Sequence, residues 1–122
     1  MIGHGGSASV YLVTRRDSGE KLAAKVVELS PIAEEKLHLL VKEIKIMKLL
    51  KHPNIINYYG TWIRSSQLFV VLEYCPLGSL SDIYLALQMP FSETQVIYSI
   101  FGVLKALSYL HSRFIMHRDI KG

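Results

Sequence analysis

The chain has 122 residues, half of them apolar or aromatic and 20% charged. That length suits one hydrophobic core rather than two, and the composition excludes both a disordered tail and a membrane bundle. Fourteen Lys and Arg against ten Asp and Glu give a net charge of +4, which suits anionic ligands, but the charges are interspersed and point only weakly to nucleic acid. The longest strictly apolar run, Leu68-Phe69-Val70-Val71-Leu72, is far short of the ~20 residues of a membrane span. Met1 to Gly6 lack a basic start followed by an apolar run, so no secretory signal is expected. Cys75 is the single cysteine and can form neither an intrachain disulfide nor a zinc site alone, which fits a reducing compartment.

The first elements read as β structure. Ser9-Val10-Tyr11-Leu12-Val13-Thr14 is β-branched and aromatic, the turn signal Asp17-Ser18-Gly19 follows, and Lys21 to Val27 resumes as a second strand, so the two predict a hairpin. Ser30-Pro31 breaks the chain. Ala33 to Lys51 predicts a helix, with Leu37, Leu40, Val41, Ile44, Met47 and Leu50 at three- and four-residue spacing, and His52-Pro53-Asn54 stops it. Ile55 to Ile63 and Gln67 to Tyr74 are two more strands joined at Arg64-Ser65-Ser66. Pro76-Leu77-Gly78-Ser79 is a turn or short linker, and Leu80 to Leu87 a short helix. Ser92 with Gln95 forms a capping-box pattern opening a helix from Glu93 to about Ser112. Val96, Ile97, Ile100, Phe101, Leu104, Leu107 and Leu110 give that helix a broad apolar face with little chain left to cover it. Exposure of that face predicts poor solubility or self-association. Phe114-Ile115-Met116 reads as an apolar strand before a polar tail.

Four features carry chemistry. Gly3-His4-Gly5-Gly6-Ser7-Ala8-Ser9-Val10 is a glycine-rich turn whose bare backbone can approach a phosphate, although taken alone it is explained better as a flexible N-terminal turn. Lys25 interrupts the apolar strand Leu22-Ala23-Ala24-Lys25-Val26-Val27, on the face that carries Ala23, and wants an anion; an edge-strand lysine that blunts aggregation is the plain alternative. Glu43 shares the apolar stripe of Leu40 and Met47, so Lys25 is its natural partner, against the alternative of a solvated glutamate at the stripe's edge. In His117-Arg118-Asp119-Ile120-Lys121 a carboxylate able to accept a hydroxyl proton lies two residues before a lysine able to neutralise a phosphate oxygen. A polar tail without function would look the same.

In this order and spacing the features resemble the eukaryotic protein kinase family, over essentially the whole chain. The pattern G-x-G-x-x-G-x-V is met by Gly3, Gly5 and Val10, with Ala8 in place of the third glycine. The resemblance implies an α+β, protein-kinase-like fold: an antiparallel small lobe with one helix over 1–74, a hinge over 75–79, and the first helices of an incomplete helical large lobe over 80–122. It implies that Ile2, Gly3, Gly5, Val10, Ala23, Lys25, Glu43, Leu72, Glu73 and Cys75 serve ATP. Lys25 would hold the α- and β-phosphates, paired with Glu43. Val10 and Ala23 would sandwich the adenine, Glu73 and Cys75 would bind its edge through their backbones, and Leu72 would stand as gatekeeper. Asp119 would be the catalytic base and Lys121 the lysine that steadies the transferred phosphate, with His117 structural. Lysine two positions after the aspartate resembles serine/threonine kinases.

The segments 57–62 and 72–82 are similar to germinal-centre and Hippo-type kinases near the top of MAP-kinase cascades, or to MAP-kinase-kinase-kinases. The implied cofactors are ATP and Mg²⁺, and the implied partners a protein substrate and upstream or partner kinases, in the cytoplasm, with no nucleic acid and no membrane span. The family's metal-binding asparagine, five residues after the aspartate, and its Asp-Phe-Gly fall past Gly122, so the chain assigns no metal ligand and is expected to transfer little phosphate alone. The competing readings are a non-catalytic kinase fragment that binds nucleotide or a partner kinase, and a small basic nucleic-acid domain. The second is disfavoured because the aromatics are not interleaved with Arg and Lys.

Overall fold

The structure is a computed structural model that describes residues 1–5, 8–30 and 34–121. Gly6 and Ser7 of the glycine-rich segment, the Pro31 break, the expected helix start at Ala33, and Gly122 lie outside the described residues. The elements in chain order are β1 (Gly3–Gly5), β2 (Ala8–Thr14), β3 (Lys21–Glu28), α1 (Glu34–Leu49), β4 (Tyr58–Arg64), β5 (Gln67–Glu73), α2 (Leu80–Leu87) and α3 (Glu93–His111). They fall into two compact units, one of residues 1–51 and 56–74, the other of residues 52–55 and 75–122.

The first unit is a five-stranded sheet in the order β1-β2-β3-β5-β4, antiparallel throughout, together with α1. Pairing of Val10 with Lys25 and of Lys25 with Val70 fixes its register. Because strand side chains alternate, Val10, Ala23, Lys25, Val27, Leu68, Val70 and Leu72 share one face. That face holds the core: Val27, Leu68, Val70 and Ile44 of α1 are buried together, and Leu40, Met47 and Leu72 pack against them. The stripe that α1 buries is therefore Leu40, Ile44 and Met47, while Leu37 and Val41 of the broader predicted face remain exposed. Glu34 and Glu35 in the first turn of α1 and Lys48 in the last complement its dipole.

β4 begins at Tyr58, three residues later than the run of apolar and β-branched residues predicts. Ile55 gives its N–H to the His52 carbonyl in the turn around Pro53, so it cannot join the ladder there. Ser65 turns the β4–β5 connection in the left-handed region, at φ 54°.

In the second unit both helices open on a capping box. Ser92 and Gln95 form the one expected for α3. Ser79 and Asp82 form a second at α2, where the sequence had shown only a linker. Leu110 is the one buried apolar side chain of this unit among the described residues. The His52 ring lies 5.0 Å from that of Tyr109, and the Arg113 guanidinium sits 3.8 Å over the Tyr109 ring. The strand expected at Phe114-Ile115-Met116 is not formed. The Phe114 N–H bonds His111 O and the Ile115 N–H bonds Leu110 O, the paired bonds of a Schellman motif, with Phe114 itself at φ 58°. Those bonds close the end of α3, and among the described residues no strand pairs with those that follow.

Candidate functional site

In the first unit, β1 runs Gly3–Gly5 and pairs back on β2, Gly3 against Val10 and Gly5 against Ala8. The Ile2 N–H extends this pairing to the Val10 carbonyl at 2.8 Å. A Cβ at Gly3 would rest 3.7 Å from that of Val10, an ordinary contact. Packing within the strand pair therefore does not require glycine there, which leaves close approach of a ligand as a reason for it.

Lys25 is carried by β3 on the helix-covered face, so its side chain rises toward α1 rather than away from it. There Nζ lies 3.8 Å from Oε1 of Glu43, the residue beside the buried Ile44. The two side chains are 36% and 54% exposed, so the pair is open to solvent and to a ligand. At 3.8 Å it is an ion pair without the shorter distance of a direct hydrogen bond. Val10 and Ala23 lie on the same face, half-buried, with Val10 directly opposite Lys25 on β2. Leu72 is half-buried against the core at the end of β5. The outcome is a sheet face that carries one accessible ammonium group beside small and aliphatic side chains.

Glu73 ends β5 opposite Leu22 of β3. Its carboxylate is engaged: Oε2 accepts from the backbone N–H of Asn57 at 3.0 Å and from Asn57 Nδ2 at 2.9 Å. The sequence offered no sign of this contact, since Asn57 and Glu73 are sixteen residues apart and an isolated asparagine before a strand reads as turn chemistry. A second cross-sheet contact joins the Tyr59 hydroxyl to Glu20 Oε1 at 2.7 Å. That hydrogen bond to Glu20 raises the Tyr59 phenol above its ordinary value and keeps it a donor.

In the second unit, Cys75 is a free, exposed thiol whose carbonyl accepts the Gly78 N–H at 3.2 Å. The loop 117–121 is turned by Arg118 at φ 63°, a conformation a non-glycine residue adopts only under constraint. The turn brings the Asp119 N–H to Nδ1 of His117 at 3.3 Å and lets Lys121 Nζ approach Asp119 Oδ2 at 3.3 Å. Both charged groups are largely exposed, so the pair opens at little cost, on the order of 0–1 kcal/mol. Once the pair opens, such a carboxylate can accept a proton and such an ammonium group can meet an anion. Among the described residues no three His, Cys, Asp or Glu side chains gather as metal ligands.

Residues 1–122 match the family described as Protein kinase domain. The chain belongs to that family. It is 43% identical over 121 residues to human mitogen-activated protein kinase kinase kinase kinase 3, covering 99% of this chain and 13% of that protein. Human serine/threonine-protein kinase TAO3 is 39% identical over 121 residues, 98% of this chain and 13% of its own length. Serine/threonine-protein kinase dst2 of Dictyostelium discoideum is 37% identical over 99% of this chain and 10% of its own length. The chain thus spans only about a tenth to an eighth of these relatives' length, and the name of the first agrees with the subgroup that segments 57–62 and 72–82 resemble. The kinase-like α+β fold expected from the resemblance is the one found. Among the described residues no helix is long and apolar enough to cross a membrane.

Proposed function

We propose that the chain is part of an ATP-dependent serine/threonine protein kinase of a MAP-kinase or Hippo-like cascade, acting in the cytoplasm. Residues 1–74 serve as its small lobe, 75–79 as the hinge, and 80–122 as the start of the large lobe. The contact of Lys25 with Glu43 carries this reading. It joins two charged residues that nothing in local structure requires to meet, on the accessible part of the sheet face with Val10 and Ala23.

ATP supplies the phosphoryl group when bound, with Mg²⁺ as its counter-ion. Lys25 holds the α- and β-phosphates, and Glu43 fixes the ammonium group in the direction needed. Gly3 and Gly5 let the backbone beside Ile2 approach the phosphates without a Cβ in the way. Val10 and Ala23 flank the adenine, and Leu72 limits the depth of its pocket. Glu73 and Cys75 meet the adenine edge through backbone groups, a role supported by the Glu73 side chain being already engaged with Asn57. Asp119 accepts the proton of a substrate Ser or Thr hydroxyl, and Lys121 neutralises charge on the phosphoryl oxygens. A protein substrate and an upstream or partner kinase are the remaining partners.

The test is ATP binding by the full chain and by Lys25→Ala. Loss of about tenfold or more in affinity is expected, since a charge-assisted bond to phosphate is removed. Equal affinities would remove Lys25 from the site. Asp119→Asn should leave ATP affinity unchanged, and a loss there would contradict its assignment to the hydroxyl. Phosphate transfer to a Ser/Thr substrate separates the kinase reading from that of a fragment that only binds nucleotide.

A further inference from the structure

The end of β5 is held by more than its ladder. Asn57 donates twice to Glu73 Oε2, through its backbone N–H at 3.0 Å and its Nδ2 at 2.9 Å. The Glu73 N–H returns a bond to the Asn57 carbonyl at 2.9 Å. Just beyond, the β4–β5 register slips, with Tyr58 opposite Leu72 and Gly60 opposite Val71, so that Tyr59 is an extra residue. A bulge interrupts the ladder and leaves a strand end less constrained. The three bonds between Asn57 and Glu73 supply the constraint at that point. Two of them run to a carboxylate oxygen, a stronger acceptor than an amide carbonyl.

We propose that Asn57 is a positioning residue for adenine recognition. By clamping the Glu73 side chain and N–H from the β4 side, while Leu22 pairs with Glu73 from the β3 side, it fixes the peptide that enters Glu73 and the direction of the Cα–C bond that carries the next one. The carbonyl of that peptide then points steadily at the exocyclic amino group of the base. Hydrogen bonds weaken steeply as their angle closes toward ~120°, so a strand end free to swing would lose this contact first. The inference rests on the assignment of the Glu73 backbone to the adenine edge.

The test compares ATP with the triphosphate of purine riboside, which lacks the amino group, on the full chain by titration calorimetry. The unaltered chain binds ATP the more tightly. Asn57→Ala lowers ATP affinity by about three- to tenfold, the worth of one hydrogen bond, and leaves the analogue's affinity unchanged. Asn57→Asp sets two carboxylates face to face and lowers ATP affinity further. Asn57→Asp combined with Glu73→Gln exchanges amide and carboxylate between the two positions and restores the preference for ATP. Equal binding of both nucleotides by the unaltered chain would refute the adenine-edge assignment itself, leaving Asn57 nothing to position. A preference for ATP that persists in Asn57→Ala would overturn the positioning role alone. Parallel loss of both nucleotides with a lowered melting temperature would overturn it too, by showing the clamp to be structural only.

Discussion

Replacing Glu43 by glutamine separates a structural ion pair from a functional one. The pair distance is 3.8 Å. Two unit charges so placed attract by about 1 kcal/mol in a water-like medium and by about 4 kcal/mol at an effective dielectric of 20. Exposures of 36% and 54% put the pair nearer the first figure, and the entropy of holding two long side chains reduces it again. Glu43→Gln should therefore change folding stability by about 0.5 kcal/mol, within the scatter of most denaturation curves. Its effect on nucleotide affinity should be larger, about three- to tenfold, because the ammonium group loses the group that directs it. The assay is paired: urea melts of the full chain and of Glu43→Gln, and ATP titration of the same samples. A stability loss of several kcal/mol with unchanged ATP affinity would refute the reasoning. Glu43 would then be a structural residue of α1.

Further perturbations test other parts of the molecule. Gly78 has φ +71°, and a Cβ there would meet Asp82 Oδ2 at 2.6 Å, so Gly78→Ala should cost about 1–2 kcal/mol and speed amide exchange across α2. Unchanged exchange would show that the turn adapts without disturbing the cap. Asp82 is held below the ordinary aspartate value by the Ser79 hydroxyl first and the Ser79 N–H second. Its folded pKa being the lower, its stabilisation of α2 is complete above the unfolded value of about 4 and is lost as pH falls through the depressed one. Helix content followed by circular dichroism should show this acid-side loss in the unaltered chain and not in Asp82→Asn. Ile97, Ile100, Phe101 and Leu104 of α3 are each more than half exposed, so the full chain should associate with rising concentration. Sedimentation of Phe101→Glu should show weaker association; an unaltered chain that sediments as a monomer at every concentration would contradict this.

Much of the architecture was legible because local pattern and tertiary demand agree. α2 and the turn at Ser65-Ser66 appear where periodicity and turn residues place them. The α3 capping box needs only Ser92 and Gln95 at the right spacing. Where the pattern misled, a hydrogen bond between distant or irregular residues was the cause. Ile55 and Ile56 look like a strand, yet the turn at Pro53 takes the Ile55 N–H. Phe114 to Met116 look like another, yet the Schellman bonds end α3 there. Lys25 and Glu43 could each be singled out as charges in apolar surroundings, but their meeting could only be inferred. Asn57 drew notice only as the start of the segment 57–62, because nothing in its spacing marks a partner sixteen residues away.

The amino-acid sequence alone determined the family, since glycines, lysine, glutamate and the His-Arg-Asp-x-Lys segment occur in one order along the chain. It also determined most element types, because strand and helix periods are properties of neighbouring residues. Only the tertiary structure decided that Lys25 reaches Glu43, that α1 buries Leu40, Ile44 and Met47, and that Asn57 grips Glu73. Those outcomes depend on strand register and on which sheet face a helix covers. Both are set by contacts between residues far apart in the chain, whose energies no local window contains.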